Sequence, residues 1–143
     1  MSGWTARALT EIPVVTDGAD DDPVWHPLQH FFGLTAFGAN AFVAREPNQT
    51  LVEEHDERSS AQEEMYLVLD GVALFELDGE TVVAGKGTAV GIPSPTVARR
   101  AVALEAGTTI LAVGVAPGCF ASTWLASHFE DVPRAGERAG LEG

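Results

Sequence analysis

The residues best suited to chemistry lie between positions 53 and 66. His55 stands in the run Glu53-Glu-His-Asp-Glu57, where an imidazole can act as a metal ligand or a general base. The same run also fits a solvated histidine at a strand end, surrounded by carboxylates. Glu64 follows a polar loop and opens an apolar strand, and alternation puts Tyr66 and Val68 on its face. A carboxylate turned into a core needs a cation or hydrogen bonds to offset its desolvation. Glu64 is therefore expected in a pocket, with Glu63 facing solvent. Gln62 can hydrogen-bond a ligand or cap a loop. His26 and His30, beside Trp25, Phe31 and Phe32, form an aromatic and imidazole group that either covers an opening or simply packs. His128 reads as a packing or surface residue. The single cysteine, Cys119, excludes an intramolecular disulfide and has no basic neighbour in sequence to activate it. There is no Gly-x-Ser-x-Gly, no glycine-rich phosphate loop with lysine and no cysteine pair for structural zinc, which argues against serine hydrolase and nucleotide hydrolysis chemistry.

The segments that must position these residues read as short strands. Residues 34–44, 50–57, 64–69, 72–77, 80–83, 88–92, 97–104 and 108–115 carry strand patterning. Asp70-Gly71 and Asp78-Gly79 are hairpin signals. Strands spaced near ten residues apart predict a sandwich or barrel. Ahead of them, Asp17-Gly-Ala-Asp-Asp-Asp-Pro23 is an acidic, turn-rich loop not expected to pack. Behind them, Trp124, Leu125, His128 and Phe129 fall at helical spacing, which predicts one packed terminal helix. The resulting organisation is an N-terminal arm and acidic loop over 1–23, a barrel over 24–117, a helix over 118–132 and a flexible tail over 133–143.

The chain has 143 residues, 45% hydrophobic, and suits one globular domain. Eight Lys+Arg against 21 Asp+Glu give a formal net charge of -13. With no basic stripe to release counterions, nucleic acid is not an expected partner, and an anionic membrane surface is disfavoured for the same reason. No charged-then-apolar leader opens the sequence, and no apolar run reaches the ~20 residues of a spanning helix. A soluble, cytoplasmic protein is the expectation.

Glu64 to Pro93 resembles the two-motif signature of the cupin superfamily. Glu64, six intervening residues and Gly71 match the end of its first motif. Gly87, five intervening residues and Pro93 match the start of its second. His55-Asp-Glu57 followed by Gln62-Glu-Glu-Met-Tyr66 is also similar to a group of bacterial cupins, chiefly actinobacterial, to which no substrate is assigned. The resemblance implies an all-β, double-stranded β-helix (jelly-roll) barrel, here with a short C-terminal helix. Its interior would hold a small ligand, often over a divalent metal bound by a His-x-His pair, a glutamate and a later histidine.

This chain departs from that pattern. No histidine lies at the expected spacing before Glu64, and Ala98 replaces the late one. With a longer loop, His55-x-Glu57 has the right internal spacing, and positions i and i+2 of a strand share a face. The site then offers His55, Glu57 and Glu64 as metal ligands, a set suited to one divalent ion such as Mn, Fe, Zn or Ni. If Ala98 takes the histidine's inward slot, Arg100 also points inward and Arg99 outward. Arg100 could then pair with Glu64 in place of a metal, or clamp a substrate carboxylate.

Three functional classes stay open at this point. One is a metal-dependent enzyme, with Glu64 and His55 catalytic and Gln62, Tyr66 and Arg100 positioning a small organic substrate. Another is a metal-free binding or sensing module built on an Arg100–Glu64 pocket. The last is a structural barrel filled by side chains. Phe37, Phe42, Leu67, Phe75 and Val90 are expected to supply core and pocket walls. Outward Met65, Leu67 and Leu69 suit a sheet-face contact in a homodimer.

Overall fold

The computed structural model describes residues 3–16 and 21–135. Nine strands and one short helix follow in the order β1 (Val24–His26), α1 (Leu28–Phe32), β2 (Gly38–Val43), β3 (Thr50–His55), β4 (Glu63–Asp70), β5 (Val72–Leu77), β6 (Glu80–Gly85), β7 (Ala89–Ile92), β8 (Arg99–Ala103) and β9 (Thr109–Val115). They form two antiparallel sheets, ordered β1-β2-β9-β4-β7 and β3-β8-β5-β6. From β2 to β9 successive strands cross from one sheet to the other except at the β5–β6 hairpin, and β1 pairs with β2 in the same sheet, which is the jelly-roll arrangement. Tyr66, Val68, Phe75, Ala101 and Ile110 fill the space between the layers.

Strand β4 shows why sequence alternation works here. Tyr66 and Val68 are 2% and 1% exposed, whereas Met65 and Leu69 are 44% and 39% exposed on the outer face. Leu67 lies outward with them, half-buried, and Phe37 is 39% exposed, so neither belongs to the core as expected. Phe42, Phe75 and Val90 do.

The two Asp-Gly turns behave differently. Asp78 and Gly79, at φ 51 and 86, make a two-residue hairpin that pairs Leu77 with Glu80, as the sequence predicts. Asp70-Gly71 is not a hairpin. β4 and β5 lie in different sheets, so this turn is a corner. A Cβ on Gly71, at φ +75, would come within 2.4 Å of Thr108 Oγ1. Thr108 is fully buried, and its Oγ1 accepts from Val72 N at 3.3 Å and lies 2.8 Å from Glu105 O.

The outer face of β1 and β2 is covered. α1 packs on β2, where Gln29 Oε1 accepts from Ala39 N at 2.7 Å. The N-terminal arm brings buried Ile12 against His26, whose Nδ1 lies 2.9 Å from the Ile12 carbonyl. Neither β1 nor α1 was expected from the sequence, because three and five residues are too short to show a period. The acidic loop also packs where it is described. Asp21 O accepts from Gln49 Nε2 at 2.8 Å, and Asp22 O accepts from Arg45 Nη1. The loop's first four residues, 17–20, and 136–143 of the expected tail lie outside the described residues.

The C-terminal helix is a single 3₁₀ turn, Ala126–Phe129. It does not pack as expected. Trp124 and Leu125 remain 70% and 67% exposed, with Trp124 touching only its neighbour Phe129 among aromatic rings, at 6.2 Å. Among the described residues, no helix is long and apolar enough to cross a membrane.

Candidate functional site

A cavity of about 750 Å³ opens between the sheets, lined by residues of β1, β2, β3, β4 and β9. That volume is typical of a small-molecule site. Glu64 and Tyr66 enter it from β4, His55 from the end of β3, Phe42 and Asn40 from β2 and Trp25 from β1.

Glu64 is placed by a glycine opposite it. Gly114 pairs with Glu64 across β9 and β4, and a Cβ there would lie 2.9 Å from Glu64 Cγ and 3.0 Å from Gln62 Oε1. The absent side chain gives the carboxylate its room. Gln62 lies against this glycine and does not line the cavity.

Around Glu64 the hydrogen bonds fall on one oxygen. Tyr66 Oη donates to Glu64 Oε1 at 2.7 Å, and Arg99 Nη1 donates to the same atom at 2.8 Å. Oε2 makes no hydrogen bond among the described residues. Burial, followed by the hydrogen bond to the Glu64 carboxylate, pushes the Tyr66 phenol well above its ordinary range.

Arg99, not Arg100, is the inward guanidinium. It is fully buried, and it also donates from Nε to Val97 O at 3.1 Å and from Nη2 to Val97 O and Ser94 O at 2.9 and 3.3 Å. Arg100 points out and pairs with Glu76 at 3.2 Å, both side chains more than a third exposed. The expected Arg100–Glu64 pocket is therefore corrected by one residue. The premise that Ala98 takes the inward slot does not hold, because the turn after Pro93 resets the strand. Ala98 is instead held by the β5–β6 turn: its N–H donates to Asp78 Oδ1 and its carbonyl accepts from Asp78 N, both at 2.8 Å. The strand starts afresh at Arg99, opposite His55 and Leu77.

His55 and Glu57 do meet, though not as neighbours on one strand. β3 ends at His55, and Glu57 sits in the following turn, its N–H donating to Pro95 O at 2.8 Å. His55 Nε2 lies 2.9 Å from Glu57 Oε2, and Nδ1 lies 2.8 Å from the Glu53 carbonyl. A carbonyl only accepts, so Nδ1 carries a proton. Nε2 then either shares a second proton with Glu57 or presents its lone pair to a cation. Ser60 Oγ donates to the other Glu57 oxygen at 2.6 Å. Ligand atoms from His55, Glu57 and Glu64 all lie within 4.8 Å of one another.

Of the aromatic group near the N-terminus, only Trp25 reaches the opening. It stands opposite Phe42, with ring centroids 6.1 Å apart. His26 is buried against the arm. Phe31 and Phe32 contact one another on α1 at 5.0 Å, and the Arg7 guanidinium lies 5.2 Å from the Phe31 ring. Cys119 is exposed and free.

No protein-family model matches the sequence, and no curated protein matches it. Solved structures do. A cupin protein from Bacteroides fragilis superposes with a TM-score of 0.63 at 19% identity, over 87% of this chain and 93% of that one. An RmlC-like cupin protein from Desulfovibrio desulfuricans gives 0.59 at 18% identity, over 78% and 95%. A sugar phosphate isomerase from a cupin superfamily, from Silicibacter pomeroyi, gives 0.57 at 22% identity, over 66% of this chain and 60% of that one. The chain thus spans about three-fifths of that isomerase's length. At these identities the likeness is one of fold: the protein has the cupin jelly roll.

Proposed function

We propose that the protein is a small-molecule-binding cupin barrel that holds one divalent cation, Mn, Fe, Zn or Ni, at His55, Glu57 and Glu64. The observation that carries this reading is the convergence of three donor atoms within 4.8 Å, two of them from residues that line the cavity, His55 and Glu64. Two ligand atoms can be at most about 4.4 Å apart across an ion with 2.2 Å bonds, so the cluster needs only a small contraction. One imidazole and two carboxylates suit a borderline divalent ion. The Nδ1 proton held by Glu53 O supports Nε2 as the ligand atom, an orienting contact typical of metal-bound histidines. Glu64 Oε2 is available because Tyr66 and Arg99 both occupy Oε1.

When bound, such an ion polarises a carbonyl or enolate oxygen of a small organic ligand. The chain's own residues hold the scene for it. Arg99 fixes the Glu64 carboxylate, and the Tyr66 phenol, kept protonated by burial, donates to it. Trp25 and Phe42 wall the apolar side of the ligand. The outer row of Met65, Leu67 and Leu69 is the proposed homodimer contact, which light scattering at micromolar concentration checks.

The test is elemental analysis of tag-free protein beside a His55→Ala/Glu57→Ala double variant. Near-stoichiometric metal that disappears in the variant is expected. A wild-type protein that takes up none after reconstitution overturns the metal reading. What then stands is a metal-free binding pocket, favoured by the buried Arg99–Glu64 pair, which already supplies the carboxylate with a positive partner.

A further inference from the structure

We infer that the cavity selects a small organic cation, an amine or quaternary ammonium compound, and rejects phosphorylated or carboxylated ligands. This rests on the reading of the cavity as a small-molecule site and assigns the chemical class of its ligand.

Two independent features of the wall lead there. The first is aromatic. Trp25 stands at the opening, 39% exposed, with Phe42 opposite it at a centroid distance of 6.1 Å. The indole N–H donates to Asn40 Oδ1 at 2.8 Å, which fixes the ring's orientation on the sheet. An indole held in place on the cavity wall and partly exposed attracts a cation that comes over its face within about 6 Å of its centroid. An anion gains nothing from the same face.

The second feature is charge. Asp21, Asp22, Glu46, Glu53, Glu54 and Glu64 line the cavity, and no Lys or Arg does so among the described residues. Two arginines behind the wall are held by the protein itself. Arg99 lies behind Glu64, fully buried on that carboxylate and on two backbone carbonyls, and Arg45 donates to the Asp22 carbonyl. With Glu64 offset by Arg99, Arg45 lying against Asp22 and a divalent ion held by Glu57 and Glu64, the negative excess of the wall rests on Asp21, Glu46, Glu53 and Glu54. A phosphate entering through this wall meets repulsion at each step, whereas an ammonium group is drawn in. Neither feature alone chooses a ligand; a partly exposed indole set in an anionic wall favours a soft organic cation over both a sugar phosphate and an uncharged sugar.

The experiment compares choline, its uncharged carbon isostere dimethylbutanol and a hexose phosphate by titration calorimetry. It uses the full chain as isolated and after metal loading. A Trp4→Phe/Trp124→Phe background leaves Trp25 as the sole tryptophan of the three, so fluorescence quenching then reports the opening directly. Choline is expected to bind at least about tenfold more tightly than the isostere, to lose about tenfold in Trp25→Leu, and to weaken with added salt. Glu53→Gln/Glu54→Gln, on exposed positions, is expected to lower choline affinity several-fold and raise that of the hexose phosphate, which covers the case of a Trp25 variant that misfolds. The inference is overturned if choline and its isostere bind equally, if the hexose phosphate binds best, or if choline does not bind at all. Metal content is measured on the same samples. Metal retained without ammonium selectivity sinks this inference alone, and selectivity without metal sustains it while ending the metal reading.

Discussion

Arg99→Met removes a guanidinium that is fully buried and bound to Glu64, itself 13% exposed in its side chain, while keeping much of the arginine's apolar length. Three oxygens each lose the arginine as a donor: Glu64 Oε1, which keeps only Tyr66 Oη, and the carbonyls of Val97 and Ser94. Breaking a buried ion pair from one side costs about 3–5 kcal/mol, since the remaining charge stays buried without its partner. For a domain of this size that lowers Tm by about 10–20 °C. Urea unfolding followed by circular dichroism, in chelator so that no metal compensates, gives the value. Arg100→Met is the control, because its half-exposed pair with Glu76 contributes about 1 kcal/mol or less. Adding Glu64→Gln to Arg99→Met removes the stranded charge and is expected to recover about 1–3 kcal/mol. If Arg99→Met costs no more than Arg100→Met, or Glu64→Gln only deepens the loss, the inward position of Arg99 is wrong.

Three further outcomes follow from particular distances. Gly114→Ala drives a methyl group into Glu64 Cγ and the Glu63 carbonyl, at 2.9 and 3.2 Å; a loss of about 1–3 kcal/mol is expected together with weaker metal uptake, and unchanged uptake would show that Glu64 is not held there. Gly71→Ala, with Thr108 in its way, should cost about 3–5 kcal/mol. Gly79→Ala, at φ +86 with open space around it, should cost only about 1–2 kcal/mol. Equal losses in chemical denaturation would contradict the pinned corner. Tyr66 is the sole tyrosine, so phenolate absorbance reads it alone. Its phenol is raised when folded, so the stability it contributes is present below the unfolded value of about 10 and is lost as pH rises above it. Phenolate absorbance is therefore expected to appear only with alkaline unfolding, and a transition near pH 10 in a still-folded protein would refute the buried hydrogen bond.

Strand β4 was legible in the sequence because Glu64 to Leu69 is one unbroken strand, so a single inward residue fixes which of its five following apolar residues face the core. The same method failed at β8. There the inward slot was given to Ala98 by motif spacing across a turn, the strand begins only at Arg99, and an arginine with an uncharged alanine before it gives no hint that it is the buried one. Glu57 was found for an incomplete reason. The i, i+2 argument needs a strand, and the strand ends at His55; the turn through Pro95 does the placing. Trp25 could be noticed as part of an aromatic group, but only its pairing with Phe42 across β1 and β2 distinguishes it from Phe31 and Phe32. The Asp70-Gly71 pair carries the composition of a hairpin and the geometry of a corner, because what decides between them is Thr108, 37 residues further on.

The Arg99–Glu64 contact joins two layers. Glu64 belongs to the sheet of β4 and Arg99 to the sheet of β8, and His55 comes from β3 beside the latter. β5 and β6 are joined by a two-residue turn and can pair early, but most of the remaining pairings wait for distant parts of the chain, which makes such barrels slow to fold. The pocket has no existence in a half-assembled molecule, since neither sheet alone owns a complete set of its groups. A cation or ligand bound there clamps the layers from within, raising the cost of opening them by an amount set by its concentration relative to its dissociation constant. Occupancy of the pocket would thus be a record of finished folding.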